Sequence, residues 1–324
     1  VHMGRRNDAT DKAKELIRMG VAKSAGLEPQ EEIESTLVRK ILVIGGGVSG
    51  LSAAQALSDM DLDIVLIEKT QKLGGLLQQV NHLETGRPAA DMLNELIDDV
   101  TSRDNVTCIT QADLTQTGGY IGNYDVTIDT PEGQVEEKVG CIVVAAGAVP
   151  LIPEGIFGYN RKDVISLMEL EQKLKKDDLD AKRVVFIQCA GARTPEKEYC
   201  SRICCMLGVK NAMQIKEKFP LTDVRVLYRD MQMYGTQKEQ MLWDARGMGI
   251  RFDVYTPEQP PEVADGHVRY FQSVTGKDID LSTDLVVLST PLVPRKGNSE
   301  LAGLMRVPTD QNGFFLEAHA KLRP

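Results

Sequence analysis

Six cysteines occur in the 324-residue chain, and four of them, Cys189, Cys200, Cys204 and Cys205, stand close together. In a compartment that disfavours disulfides, grouped cysteines more often bind metal or carry electrons than staple a fold. Cys189 follows the apolar run Val185-Phe186-Ile187, so it stands at the carboxyl end of a strand. A helix read from about Glu198 to Lys218 puts Cys200 and Cys204 on one face, with Cys205 about 100° round from Cys204. The helix N-terminus carries partial positive charge, which favours the deprotonated, metal-binding form of thiols converging there. Four thiolates are the ligand set of an iron–sulfur cluster. On spacing alone three other readings stay open: buried small hydrophobes, a redox disulfide between Cys200 and Cys204, and a zinc site. The spacing C-x10-C-x3-C-C matches none of the usual C-x2-C zinc or redox patterns. Cys108 and Cys141 fall within or at the start of strands and read as packing residues.

A second constellation handles phosphate. Gly45-Gly46-Gly47-Val48-Ser49-Gly50 satisfies G-x-G-x-x-G between the buried strand expected over Lys40 to Ile44 and a small-residue helix. Gly45 permits a tight turn, Gly47 lets backbone approach a pyrophosphate, and Gly50 lets helix and strand pack closely. Glu68 falls 18 residues after Gly50, at the end of the next strand and followed by Lys69, where its carboxylate can bond an adenosine ribose. A second glycine pair, Gly74-Gly75 with Leu76, gives backbone access further along the same ligand. In the second half the equivalent loop reads Cys189-Ala190-Gly191-Ala192-Arg193-Thr194, with cysteine and threonine in place of the first and third glycines. A sulfur at that turn argues against a bound NAD(P)H.

These groups need two strand–turn–helix frames. One comprises strands at 40–44, 64–67 and 141–144, a helix over 48–60, and alternating polar strands from about Val106 to Val139. The other comprises strands at 183–187, 224–228 and 284–288, with helices near 198–218 and 236–248. The fold class expected is α/β, with two doubly wound dinucleotide-binding domains. Residues 1–34 form an N-terminal helical segment, with a helix over 10–25. Residues 35–155 together with 291–324 form the first domain, and 156–290 form the second Rossmann-like domain.

The formal charge is −9, and no long Lys/Arg block exists, which disfavours nucleic acid and anionic membranes as partners. No stretch is apolar enough to span a bilayer. A cytoplasmic protein is expected.

The doublet Gly74-Gly75, with Ala145-Ala146-Gly147 closing the half, resembles the FAD domain of flavoproteins of the thioredoxin reductase and glutathione reductase kind. That resemblance implies FAD, with Leu114 near the adenine and Ala146 and Gly147 also along the cofactor. The run from Cys189 through Tyr199-Cys200-Ser201-Arg202-Ile203-Cys204-Cys205-Met206 is similar to the A-type subunits of heterodisulfide reductase. So are Gly45 to Gly75, Asp163 to Glu169 and Gly313 to Ala318. The family resemblance implies a [4Fe–4S] cluster on the four cysteines and a lysine near flavin N5, matched here by Lys210. It also implies cysteine-rich and iron–sulfur partner subunits, and a homodimer. With no C-x2-C-x2-C-x3-C run, the chain resembles the short subunit of sulfur-oxidising bacteria, which works with a lipoate-binding protein. The expected function is an FAD and [4Fe–4S] electron-transfer subunit in cytoplasmic sulfur oxidation. The alternatives are an NAD(P)H-dependent disulfide reductase, an electron-bifurcating subunit, or a non-catalytic scaffold that keeps FAD for structure.

Overall fold

The computed structural model describes residues 6–28 and 36–317. Clustering of contacts separates residues 1–37 from 38–324. The described part of the first unit is dominated by helix α1 (Arg6–Ala25), with Asp8 in its first turn and Lys23 in its last, both favourably placed on the helix dipole.

In the second unit, β1 (Lys40–Ile44), α2 (Val48–Ser58), β2 (Asp63–Glu68), a 3-10 turn (Gly75–Gln79) and α3 (Ala89–Thr101) lead to β3 (Val106–Thr110). Three antiparallel strands follow, β4 (Asp113–Tyr120), β5 (Asn123–Thr130) and β6 (Gly133–Val139). Then β7 (Cys141–Val144) closes a parallel sheet of order β3-β2-β1-β7. Strand β1 is apolar from Ile41 to Ile44 because both its faces are covered. Ile41 and Val43 pack with Leu51, Ala54 and Leu93 of the helices. Leu42 and Ile44 pack with Leu114, Val126 and Ile128 of the antiparallel sheet.

After β8 (Ala148–Pro150) the pattern repeats: β9 (Val164–Ser166), α4 (Leu167–Lys175), β10 (Arg183–Ile187), α5 (Cys204–Lys218), β11 (Asp223–Tyr228), α6 (Lys238–Gly247) and β12 (Arg251–Val254). Strands β13 (Glu262–Ala264), β14 (His267–Gln272) and β15 (Lys277–Ser282) form the second antiparallel sheet, and β16 (Leu285–Leu288) returns between β10 and β9 in a parallel sheet of order β12-β11-β10-β16-β9. Val184 and Phe186 of β10 meet α4, α5 and α6, while Val185 and Ile187 meet Val268 and Tyr270 of β14. Helix α4 starts on a capping box: Ser166 Oγ accepts the Glu169 amide, and the Glu169 carboxylate accepts the Ser166 amide. The tail then forms β17 (Leu292–Pro294), antiparallel to β8, and α7 (Asn298–Met305). The fold is α/β with two parallel-sheet frames of the dinucleotide-binding kind.

Two local expectations change. Helix α5 begins at Cys204, with Ile203 at its cap position. Cys200 therefore lies in non-helical chain and does not share a helix face with Cys204. Arg202, between them, holds a left-handed φ of +58°, which a continuing helix would forbid. Cys141 is exposed at the start of its strand rather than packed, whereas Cys108 is half-buried among the helix-side core residues. Among the described residues no helix is long and apolar enough to cross a membrane.

Candidate cofactor and cluster sites

A cavity of about 700 Å³ opens at the carboxyl ends of β1 and β2, within the range of ordinary small-molecule sites. The turn after β1 forms its floor. Gly45 takes φ +110°, and a Cβ there would collide with the Ala145 carbonyl. A Cβ on Gly50 would collide with the Gly45 carbonyl, so turn and helix touch backbone to backbone. Gly47 differs, since a Cβ there would meet nothing nearer than the Gly75 Cα at 3.9 Å. Its bare face belongs to the cavity.

The cavity wall includes Gly45, Gly47, Val48, Ser49, Glu68, Lys69, Gly74, Gly75, Leu76, Leu114, Ala146 and Gly147. Gly50 supports it from behind. Gly46 faces away, and its amide donates to Glu68 Oε2 at 2.8 Å. Glu68 Oε1 accepts from the Thr70 amide and hydroxyl at 2.8 and 2.7 Å. A carboxylate offers about four acceptor positions, so one remains for a ribose hydroxyl. Lys69 bonds Asp113 at 2.7 Å, which raises the lysine pKa.

The tail supplies residues that the sequence reading missed. Arg295, Lys296, Asn298, Leu301 and Leu304 line the same cavity. Arg295 Nε is buried without a hydrogen-bond partner. A buried guanidinium donor left unpaired at a cavity wall fits an anionic ligand. With the open face of Gly47 and the spare Glu68 acceptor position, the site fits an adenine dinucleotide. No motif marks Arg295, which stands far from the fingerprint in sequence and arrives through β17.

The four expected thiols lie in the turn after β10, in the chain before α5 and in the first turn of α5. Cys189 holds φ +59° where the first half has Gly45, a conformation costing a non-glycine residue about 1–2 kcal/mol. Cys189, Cys204 and Cys205 are buried, Cys200 is partly so, and none is in a disulfide. Burial pushes the Cys189 thiol up, with neighbouring Cys205 and Cys200 adding to the effect. Cys204 is raised chiefly by donating to Cys205, with burial and then Cys205, Cys189 and Cys200 contributing. Cys205 is lowered because it accepts that bond. All four sulfurs thus lie in one electrostatic neighbourhood. Among the described residues no group of three or more His, Cys, Asp or Glu side chains is set to hold one metal ion. A four-iron cluster does not require that, because each iron takes its own thiolate.

Lys210 does not line the larger cavity. It borders a neighbouring one of about 200 Å³ with His82 and Glu84. Its Nζ donates to Glu171 Oε1 at 2.6 Å and to the His82 carbonyl at 2.8 Å. Gln172 reaches the Gln79 carbonyl, Glu171 accepts the Asn81 amide, and Lys238 pairs with Glu84. The segment after Gly74-Gly75 is therefore held by α4, α5 and α6 of the other half.

A family model for the NAD(P)-binding Rossmann-like domain matches residues 43–93. Thioredoxin reductase from T. acidophilum superposes with a TM-score of 0.57 at 15% identity, covering 88% of this chain and 87% of that one. Thioredoxin reductase from Lactococcus lactis gives 0.56 at 15% identity, covering 85% and 84%. Among curated proteins, an A-type iron–sulfur subunit of the CoB–CoM heterodisulfide reductase of Methanopyrus kandleri is 30% identical across 100% of this chain and 64% of its own length. The A-type subunit of the H2:CoB–CoM heterodisulfide, ferredoxin reductase of Methanothermobacter marburgensis is 31% identical with the same coverage. The chain spans 64% of the length of these relatives. Along its whole length the chain is similar to heterodisulfide reductase A-type subunits, and its fold is like that of the thioredoxin reductases on which it superposes.

Proposed function

We propose that the chain is an electron-transfer subunit that binds FAD in the larger cavity and a [4Fe–4S] cluster on Cys189, Cys200, Cys204 and Cys205. The observation that carries this reading is the left-handed cysteine at the turn of the second Rossmann frame. Three further cysteines follow it along the chain, one before α5 and two in its first turn, and each bears on the charge of the others. A flavin exchanges electrons in pairs and a cluster singly, so the two together convert between the modes. Gly45, Gly47 and the first turn of α2 receive the pyrophosphate, Glu68 the ribose, and Arg295 supplies positive charge. Gly74, Gly75 and Leu76 run along the remainder, and the clamp through Lys210 holds the segment beyond them.

The relatives are named as subunits of larger reductases, and this chain would likewise work with partner subunits, of the iron–sulfur kind. The finer setting proposed is cytoplasmic sulfur oxidation, as a homodimer serving cysteine-rich subunits and a lipoate-binding protein. An NAD(P)H-dependent reductase would need a backbone cradle where Cys189 and Thr194 stand.

Anaerobically purified protein should contain iron and acid-labile sulfide in equal amounts, with flavin bands and a broad shoulder bleached by dithionite. Cys204→Ser should lose the shoulder and keep the flavin bands. Iron-free protein whose four cysteines all titrate as free thiols rules the reading out.

A further inference from the structure

Two arginines stand against the cysteine group, and neither the fingerprint nor the thiol spacing requires them. Arg193 lies four residues after Cys189, in a loop where Cys189, Gly191 and Arg193 all take left-handed backbone, at φ +59°, +76° and +55°. Two non-glycine residues held that way within five positions mark a loop shaped by its surroundings rather than by local preference. One surrounding is Arg229, just past the end of β11, whose Nη1 donates to the carbonyls of Ala192 and Arg193 at 3.3 and 3.0 Å. Next to it, the Asp230 carbonyl accepts from Cys205 Sγ at 3.9 Å, and the Asp230 carboxylate pairs with Arg193 Nη2 at 2.7 Å. The loop, the end of β11 and the first turn of α5 thus close on one another around the sulfurs.

Both guanidiniums keep a donor in reserve. Arg193 Nη1 and Arg229 Nε are buried, and neither has a hydrogen-bond partner. Leaving a buried charged donor unpaired is costly unless something of opposite charge belongs beside it. The groups beside them are thiols: Cys189 opens the loop whose carbonyls Arg229 holds, and Cys205 donates to the carbonyl of Asp230, the residue that pairs with Arg193.

We propose that Arg193 and Arg229 are positioning residues that set the reduction potential of the iron–sulfur site, with Asp230 as the counterweight that attenuates Arg193. This rests on the cluster reading above. Reducing a cluster bound by four thiolates adds one electron, and so one negative charge, to a group that is already anionic. The adjacent cations favour the reduced form and raise the potential, whereas the Asp230 carboxylate opposes them. Burial keeps the effect from being screened by salt.

The test uses the whole purified protein. Iron and sulfide content comes first, then a dithionite titration followed by electron paramagnetic resonance. Arg193→Gln and Arg229→Gln should keep iron and titrate at a lower potential than the parent. Arg193→Lys should restore the potential toward the parent value, and Asp230→Asn should move it upward. Iron-loaded Gln variants with the parent potential overturn the assignment. So does Arg193→Lys behaving like Arg193→Gln. Should both Gln variants come out iron-free, Asp230→Asn decides, and an unmoved potential there also overturns it. A parent protein that itself lacks iron sinks the cluster reading instead, a result distinct from all of these.

Discussion

Lys210 Nζ lies 2.6 Å from Glu171 Oε1, with the two side chains 7% and 0% exposed. Burial still pushes the lysine pKa down, and the carboxylate opposes that only in part. For a lysine lowered on folding, the unfolded chain binds more protons near the top of the titration range. The stability from this group therefore rises as pH climbs from the folded pKa toward the unfolded value.

Removing one partner strands the other. Lys210→Met leaves Glu171 ionised in the interior and should cost about 3–5 kcal/mol in urea denaturation. Lys210→Met with Glu171→Gln should recover most of that, since the amide oxygen still accepts from Asn81. A single variant within about 1 kcal/mol of the parent would show that the pair carries no such weight.

Gly47 and Gly50 belong to one motif and should fail differently. Gly47→Ala meets no backbone, so the fold should survive within about 1 kcal/mol while FAD retention collapses. In Gly50→Ala the new methyl runs into the Gly45 carbonyl, and about 3 kcal/mol or more of stability should be lost along with the flavin. Thermal melts and flavin-to-protein absorbance ratios read both. A Gly47→Ala protein that keeps its flavin contradicts the cavity assignment.

Arg295→Met should weaken FAD binding by roughly 10- to 100-fold, the value of a charge-assisted hydrogen bond. Fluorescence titration of flavin-stripped protein measures it. Parent affinity that is insensitive to salt, with the variant unchanged, removes Arg295 from the site.

Asp284 accepts from the Lys182 and Arg183 amides at 3.0 and 2.9 Å, and the Arg183 guanidinium beside it holds its carboxyl below the usual range. A carboxylate lowered on folding contributes stability above its unfolded pKa, and that contribution is lost as pH falls through the folded value. Asp284→Asn should therefore trail the parent by a constant margin down to about pH 5, and the margin should shrink steadily as the pH falls below about 4. A margin that does not shrink on acidification would assign the effect to something other than the carboxylate charge.

The sequence made the first site legible because a strand, a glycine turn and a helix are contiguous, so Gly45 to Glu68 carry their geometry locally. The cysteines were legible as a group but not in arrangement. Spacing of four suggested one helix face, and the helix instead begins at Cys204, after the left-handed Arg202. Gly46 belongs to the motif yet points its amide at Glu68. Arg295, Arg193 and Arg229 were invisible, because their importance comes from contacts across sheets and from donors left unpaired in the interior. Lys210 was marked only by the family resemblance, and its partners, Glu171 and the His82 carbonyl, lie on other elements far away in the chain.

Strands β8 and β17 carry the chain out of the first half and back into it, bonded side by side from Ala148↔Pro294 to Pro150↔Leu292. Such a two-ply cord twists more easily than it stretches. If the contacts of residues 79–84 opened, the halves would turn about this ribbon rather than pull apart along it. Hydrogen exchange that is faster in residues 79–84 than in the ribbon amides is the expected signature of that motion.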